Sequence, residues 1–279
     1  MKKIFLLIAI ATASTSIAQI KMPAPSPTQT ITQEFGLGKI ELSYSRPSIK
    51  GRELFKEGSE LAPLNNVWRT GANSATTLKF TDEVMIGRTT LKSGKYGLLT
   101  IPGKKEWIVI ISKDTTVNQA SSYKIENDVV RVTIEPVKLK ENVEMFTMQF
   151  ANIAAETCEL HMTWGSVQVA VPISTNIKDR VRAQIEKALT AETVQANTYY
   201  NAASFYYDFD KDNNNALVNI TKAVEASKDA YWMVLLKARI EKALGDKVSA
   251  KASAQKCIDM ATGKNADYVT FANELIKSL

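Results

Sequence analysis

The stretch TCELHMTWGSVQVAVPISTNIKDRVRAQIEKAL, residues 157–189, contains the point at which the chain changes from a strand pattern to a helix pattern. Its first part alternates apolar and polar residues, as a half-buried strand does; the apolar set is Cys158, Leu160, Met162 and Trp164. From the capping residue Asn176, apolar residues recur every four positions, as on one helix face; they are Ile177, Val181, Ile185 and Leu189. The sequence therefore predicts an α+β chain of two domains, a β domain at 28–174 and an all-α domain at 176–279.

Short runs of β-branched and aromatic residues, separated by turn residues, predict eight strands in the first domain. They are Lys39–Ser45, Thr76–Thr81, Lys95–Ile101, Trp107–Ser112, Val129–Glu135, Glu144–Phe150, Thr157–Trp164 and Ser166–Ile173. No helical period interrupts them, which favours an antiparallel β-sandwich or a jelly-roll-like arrangement. The run Trp107–Ile111 is apolar on both faces, so its second face needs a cover. We expect the helical domain to supply that cover and the two domains to dock.

The helical domain contains a weak internal repeat with a period of 34 residues. Residues of similar size return at that distance: Ser204, Ala216, Ile220 and Ala223 correspond to Ala238, Ala250, Ala254 and Cys257. This is the period of tetratricopeptide repeats, in which small residues let paired antiparallel helices approach closely. The sequence predicts two degenerate repeats between a first helix at 177–191 and a last helix at 266–278. The leading Trp-Leu-Gly cluster and the trailing proline of that repeat are missing, so an ordinary helical bundle stays the alternative.

The N-terminal segment MKKIFLLIAIATASTSIA, residues 1–18, has the pattern of a secretory signal peptide. Lys2 and Lys3 precede an apolar run, and small residues end the segment as a cleavage site. The run is shorter than the ~20 residues that a membrane anchor needs, and no cysteine follows the site to carry a lipid. We expect an exported, soluble protein of the periplasm or the extracellular space, with a proline-rich linker at 19–27 and no transmembrane segment after leader removal.

The charge and the cysteine content argue against several functions. The net charge is +6, which falls to about +4 without Lys2 and Lys3, and no run of five like charges indicates nucleic-acid binding. The two cysteines, Cys158 and Cys257, fit no metal motif and no disulfide framework. Each falls on an apolar face, so we expect two buried, unpaired thiols.

No catalytic or metal-binding signature is present, and no cofactor is indicated. His161 is the only histidine, which removes most metal sites and catalytic triads, and its position beside Glu159 predicts a solvated strand face. A hydrolase that works without histidine would need two carboxylates facing one cleft. The acidic pairs of the chain are better interpreted as solvated charges: Asp82 with Glu83, and Glu141 with Glu144.

Residues 44–77 combine polar side chains with rigid proline and glycine neighbours, as functional loops do. Seven residues are candidates for ligand binding: Arg46, Lys50, Arg52, Trp68, Arg69, Asn73 and Thr76. Guanidinium groups bind carboxylate or phosphate through two hydrogen bonds, and a tryptophan ring stacks on a sugar or a cation. The alternative is structural, with the arginines bracing long loops by pairing with Glu53, Glu60 or Asp82.

Six segments, together with Trp164, resemble the DUF2911 family of exported bacterial proteins and extend over residues 44–172, the whole predicted β domain. They are YSRPSIKGRELF at 44–55, LAPLNNVWRTGAN at 61–73, ATTLKF at 75–80, GKYGLLTIP at 94–102, the tryptophan of KEWIVII at 107, and DVVRV at 128–132. The chain departs from the family pattern at Leu64, where an aromatic residue is usual, and at 97–99, where Ser-Leu-Phe is usual. The resemblance implies a β domain followed by a helical tail. It implies no activity, because none is established for the family, and the seven candidate residues match its polar positions.

These patterns predict a non-catalytic binding module, which holds a small anionic or carbohydrate ligand through the Arg, Trp and Asn side chains of the β domain. The alternative is an envelope scaffold that binds a protein or peptide in the groove of the helical repeats, where aromatic residues crowd positions 199–209. A second alternative is the hydrolase that needs no histidine.

Overall fold

The computed structural model describes residues 22–279, so the predicted leader and the first part of the linker, 19–21, lie outside the described residues. The strands are β1 (Thr28–Phe35), β2 (Gly38–Ser45), β3 (Thr77–Phe80), β4 (Val84–Ile86), β5 (Thr89–Leu91), β6 (Gly94–Ile101), β7 (Trp107–Ser112), β8 (Asp128–Ile134), β9 (Val137–Ala151) and β10 (Thr157–Ser174). The α-helices are α1 (Lys178–Leu189), α2 (Ala196–Phe205), α3 (Asn213–Ala226), α4 (Tyr231–Ala243), α5 (Lys247–Ala261) and α6 (Ala266–Lys277). The predicted α+β architecture is confirmed.

The strands form two antiparallel sheets that pack face to face as a sandwich. One sheet has six strands in the order β1-β2-β3-β6-β7-β8, and the other has four in the order β5-β4-β10-β9. Alternate residues of both sheets point inward, so that Leu42 and Leu98 of the first sheet share one core with Leu160 and Val171 of the second. The chain between β2 and β3, residues 46–76, contains most of the polar motif.

Strand β10 is a single strand of 18 residues where the sequence predicted two. Its pairing with β9 shifts register on both sides of Gly165, which has a positive φ of 57°. A Cβ atom there would lie 3.1 Å from Leu54 Cδ1, so a glycine suits both the backbone conformation and the close approach of the 50s loop. The bulge joins the two predicted strands into one.

Both faces of strand β7 are apolar, and both are buried. The helices do not cover the face that points away from the sandwich core. Trp107, Val109 and Ile111 face the sandwich core, while Ile110 packs with Val117 in a separate cluster. The other members of that cluster come from neighbouring strands and loops: Leu99, Val67, Ile101, Ile108 and Tyr123. The prediction that the helical region covers β7 is therefore wrong, since loop residues of the β region cover it.

The helical region is built from antiparallel helix pairs, α2 with α3 and α4 with α5, followed by α6. The second helix of each pair begins at an aspartate cap: Asp212 accepts a hydrogen bond from the Asn215 amide at 3.0 Å, and Asp246 accepts one from the Ser249 amide at 2.9 Å. These two caps are 34 residues apart, and the residues of the internal repeat are buried except for Ser204, which is half-buried. Within residues 22–279, no helix is long and apolar enough to cross a bilayer.

Polar contacts join the start of the helical region to the sandwich. Arg180 of α1 pairs with Asp82 at 2.8 Å, beside the start of β4. The Thr175 hydroxyl donates to the Glu83 carbonyl at 3.0 Å, and the Ile177 amide donates to the Glu156 carboxylate at 3.0 Å. These bonds hold the start of α1 against the end of the four-stranded sheet.

Candidate functional site

The polar motif begins by running along strand β9. Ser48 forms a bridge with Met145, the Ile49 amide donates to the Glu144 carbonyl at 3.0 Å, and the Phe146 amide donates to the Pro47 carbonyl at 2.9 Å. This pairing, between residues almost a hundred positions apart, places the side chains of residues 46–52 beside β9.

Arg46 and Lys50 each make a contact with β9. Arg46 Nε donates to the Phe146 carbonyl at 3.1 Å, and its Nη2 donates to Thr147 Oγ1 at 2.8 Å. The backbone amide of Lys50 donates to Glu144 Oε1 at 2.8 Å, so this lysine is held by its main chain.

Arg52 is oriented by a tight turn. The Arg52 amide donates to the Ile49 carbonyl at 3.0 Å, and the two central residues, Lys50 and Gly51, have positive φ angles of 47° and 73°. This is the pattern of a type I′ turn. The guanidinium then folds back, with Nε donating to the Ile49 carbonyl at 3.1 Å and Nη2 to the Ser48 carbonyl at 2.8 Å.

Arg69 and Asn73 bond other parts of the sandwich. Arg69 Nη1 donates to the Asn118 carbonyl, and Arg69 Nε is buried without a hydrogen-bond partner among the described residues. Asn73, with a positive φ of 58°, donates from Nδ2 to the Ser26 carbonyl at 3.0 Å and ties the proline-rich segment to this loop.

Trp68 and Thr76 lie inside the sandwich. The Trp68 side chain is only 4% exposed, and its ring stacks on Trp164 with centroids 5.6 Å apart and an angle of 15° between the planes. Phe146 and Trp107 contact it edge-on at 5.0 and 6.4 Å. Thr76 is also buried, and its hydroxyl donates to the Thr70 carbonyl at 2.7 Å.

The seven candidate residues therefore do not form one cluster. Arg46, Lys50 and Arg52 follow β9, whereas the others bond separate segments or lie in the core. The prediction that carboxylates pair with the arginines of this motif is wrong. Glu53 pairs with Lys56, and Asp82 pairs with Arg180. Among the described residues, no carboxylate lies within salt-bridge distance of any of the three arginines: Arg46, Arg52 and Arg69.

A hollow opens on one side of Arg52, with a volume of about 440 Å³. Its polar side chains are Arg52, Asn142 and Ser166, and its apolar lining is Ile49, Leu54, Phe55, Gly165 and Val167. Sequence reasoning named Arg52 but missed Asn142 and Ser166. The only sequence signal for these two was Gly165, interpreted as a turn between strands, which marks the bulge that brings β10 to the loop.

A second concave surface, the helical groove, lies on the face formed by α2, α4 and α6. It consists of two adjoining cavities of about 210 and 560 Å³, which share Tyr207, Arg239 and Phe271. The remaining lining residues are Tyr200, Ser204, Asp208, Trp232, Leu235, Leu236 and Tyr268 in the smaller cavity, and Lys242, Ala243, Glu274, Leu275 and Ser278 in the larger one. Within residues 22–279, the Arg239 guanidinium forms no ion pair and no hydrogen bond.

His161 shares a face with Glu159, as predicted, but it is less solvated than expected. Its side chain is 14% exposed, and Nε2 lies 2.6 Å from Glu159 Oε2, which also accepts a hydrogen bond from Asn152. The hydrogen bonds from His161 and Asn152 lower the pKa of Glu159. In the part of the chain that the structure describes, no three His, Cys, Asp or Glu side chains are placed to share a metal ion.

Both cysteines are buried and unpaired, which confirms the sequence expectation. Burial raises the pKa of the Cys158 thiol to about 11, so this thiol stays protonated and unreactive at neutral pH. Burial also raises the pKa of the Cys257 thiol.

A charged cluster on the six-stranded sheet joins Tyr123, Asp128 and Arg131. Asp128 Oδ2 accepts hydrogen bonds from the Tyr123 hydroxyl and from Arg131 Nη1, both at 2.6 Å. The Asp128 side chain is only 6% exposed, and its Oδ1 has no partner among the described residues. Burial, together with the adjacent Asp128 carboxylate, raises the pKa of Tyr123 to about 12.

The fold is an antiparallel β-sandwich followed by a C-terminal helical region. The sequence family described as "protein of unknown function (DUF2911)" matches residues 26–173, more than half of the 279 residues, and the chain belongs to this family. The match covers the sandwich and ends before α1. No curated protein and no solved structure matches the chain.

Proposed function

We propose that the protein is a non-catalytic scaffold that binds a peptide segment of a partner protein in the helical groove. The observation that carries this proposal is Arg239, a cation that has no partner among residues 22–279 and lies at the junction of two cavities walled by aromatic rings. Exposed aromatic side chains and arginine are the residue types that dominate binding energy at protein interfaces. Trp232 and Phe271 are 37% and 44% exposed on this surface.

The helix pairing supports the same proposal. The caps Asp212 and Asp246 have the same role in successive pairs, and the groove is lined by α2, α4 and α6, which alternate with α3 and α5. Stacked helix pairs of this tetratricopeptide-like kind present one helix of each pair on a concave face, where extended segments bind.

The chemistry of the groove favours a segment with a carboxylate next to an aromatic or aliphatic side chain. Arg239 offers a guanidinium that no described residue pairs with, and a guanidinium binds a carboxylate with two hydrogen bonds. Tyr200, Trp232 and Phe271 offer apolar surface on either side of it. A segment that combines both features satisfies the cation and covers the rings at once.

A selection from a displayed library of random peptides on the full chain tests this proposal. We expect enrichment of peptides in which Asp or Glu lies near an aromatic or aliphatic residue. Binding of the selected peptides, measured by fluorescence anisotropy, should weaken by about tenfold or more in Arg239→Ala, because a charge-assisted pair is lost.

The matched control is Lys256→Ala, which removes an exposed cation from α5, a helix that lines neither cavity. This variant should keep the affinity of the unaltered chain. A selection without an acidic and apolar consensus, or peptides that bind Arg239→Ala as tightly as the unaltered chain, would contradict the scaffold function.

A second candidate function is a binding module in the β region for a small anionic or carbohydrate ligand. The residues proposed for it are Arg46, Lys50, Arg52, Trp68, Arg69, Asn73 and Thr76. It is favoured by the absence, among the described residues, of any carboxylate paired with the three arginines, so that their positive charge is not neutralised by neighbours. The burial of Trp68 and Thr76 limits these two to supporting the loops that carry the others.

We further propose export through a leader at 1–18, a location in the periplasm or outside the cell, and no lipid anchor. These proposals rest on the sequence pattern of the leader and on the absence of a cysteine after it. Mass spectrometry of the protein recovered from its cells should find a chain that starts at Gln19. The hydrolase alternative has less support, since the two groove cavities have one carboxylate each in their lining, Asp208 in the smaller and Glu274 in the larger, and the Arg52 hollow has none.

A further inference from the structure

We infer that the hollow beside Arg52 is a binding site for a small carboxylate with an apolar body, such as an aryl or short alkyl acid. The inference rests on the second candidate function and narrows it to one place and one chemical class. It is carried by the free edge of the Arg52 guanidinium, by backbone strain beside it, and by a lining that combines three polar side chains with apolar residues.

The Arg52 guanidinium is held in place by hydrogen bonds that occupy only some of its N–H groups. Backbone carbonyls of Ile49 and Ser48 take the edge formed by Nε and Nη2. The opposite edge, formed by Nη1 and the second hydrogen of Nη2, has no partner among the described residues. This edge is the fork that binds a carboxylate with two parallel hydrogen bonds, and its orientation is already fixed before a ligand arrives.

Strained backbone surrounds this guanidinium. Lys50 and Phe55, neither of them glycine, have positive φ angles of 47° and 51°. Phe55 also lines the hollow, together with Gly165 at the bulge of β10. Left-handed conformations of residues other than glycine cost energy and concentrate at binding sites, where the surrounding structure holds them.

The composition of the hollow distinguishes carboxylates from other anions and from sugars. The side chains of Asn142 and Ser166 form no hydrogen bond within residues 22–279, so both remain able to donate to a ligand oxygen in the hollow. The rest of the lining is apolar, with Leu54, Phe55 and Val167 as its main contributors. A phosphate or a sugar would leave its own polar groups unpaired against these side chains, whereas an aryl or alkyl group covers them.

Isothermal titration calorimetry of the full chain with benzoate, hexanoate, benzamide, inorganic phosphate and glucose tests the inference. Benzoate and hexanoate should bind, and benzamide should bind about tenfold more weakly or worse because it offers no charge to the fork. Benzoate affinity should fall by about tenfold or more in Arg52→Ala. Because that change also removes two bonds inside the turn, Asn142→Leu provides a second variant that leaves the turn intact, and it should weaken benzoate binding as well.

Arg88→Ala is the control, since Arg88 is an exposed arginine of the β4–β5 turn outside the hollow. It should bind benzoate as the unaltered chain does. Benzamide binding equal to benzoate binding, or an unchanged benzoate affinity in Asn142→Leu, overturns the inference. Binding of phosphate or glucose without binding of benzoate or hexanoate overturns it while leaving the second candidate function standing. If none of the five probes binds, the inference and the second candidate function are both overturned.

Discussion

Trp68 stacks on Trp164 between the two sheets, with ring centroids 5.6 Å apart and planes 15° from parallel. Trp68 belongs to the polar loop and pairs with Thr100 of β6 through its backbone, whereas Trp164 is part of β10. The contact therefore anchors the loop that carries Arg69 and Asn73 to the core of the sandwich. A motif residue that resembled a ligand-stacking ring in the sequence packs against another protein ring instead.

Replacing Trp68 by Ala should destabilise the protein by about 3–5 kcal/mol, because it removes a buried ring and leaves a cavity in the core. Urea denaturation followed by circular dichroism measures this loss. The matched control is Trp232→Ala in the helical groove, where the side chain is 37% exposed; we expect a loss below about 1 kcal/mol there. Similar losses in the two variants would show that Trp68 is not packed as described.

Replacing Arg46 by Ala should cost about 1.5–3 kcal/mol, because the Phe146 carbonyl and the Thr147 hydroxyl lose a charged donor. Arg46→Lys should recover only part of this, since one ammonium group does not reproduce two bonds in a fixed geometry. Chemical denaturation of both variants gives the free energies of unfolding. The reference is Arg88→Ala, because the exposed Arg88 side chain forms no hydrogen bond or ion pair with the described residues. If Arg46→Ala loses no more free energy of unfolding than this reference, Arg46 does not brace the loop.

The contact of Tyr123 with Asp128 predicts a stability change at alkaline pH. The pKa of Tyr123 is about 12 in the folded protein against an ordinary value of 10.0, because burial and the Asp128 carboxylate disfavour the phenolate. A raised pKa stabilises the folded state below pH 10, and this contribution is lost as the pH rises from 10 to 12. The free energy of unfolding should fall across that window, and it should fall less in Tyr123→Phe.

The control for this measurement is Tyr96→Phe, which removes a hydroxyl bonded to the Lys92 carbonyl and leaves the cluster on β8 intact. It should retain the full alkaline loss. An identical pH dependence in Tyr123→Phe and in the unaltered protein would mean that Tyr123 ionises without cost to the fold.

The two aspartate caps predict matched effects in successive helix pairs. Asp212→Ala and Asp246→Ala should each lower the Tm by about 2–4 °C, because each leaves the first amide groups of a helix without an acceptor. Hydrogen bonds from backbone amides lower the pKa of both carboxyls. The difference in Tm between each Ala variant and the unaltered protein should therefore shrink as the pH falls below 3.8. Asp212→Asn, which keeps an acceptor oxygen, should stay close to the unaltered protein. Clearly unequal shifts in the two Ala variants would argue against equivalent helix pairs.

Strong local patterns allowed much of the fold to be predicted. Strand β7 has the predicted bounds, since five apolar residues in a row have few alternatives to a buried strand. The first strand, TQTITQEF at Thr28–Phe35, was missed because it lies at a sheet edge and most of its residues are polar. Strands β4 and β5 were missed because each has three residues, too few for a period to be visible.

The order of apolar and polar residues along this chain was enough to predict the β-sheet region and the change to helices near residue 176, because these depend on neighbours within a few turns or strands. It did not establish what lies beside the polar motif. Asn142 and Ser166 line the same hollow as Arg52, where residues 47–49 pair with β9 and the chain bulges at Gly165. The bonds of Arg46 to the Phe146 carbonyl and of Arg69 to the Asn118 carbonyl likewise arose from contacts across the fold, since every main chain offers such oxygens and only packing selects which of them is near.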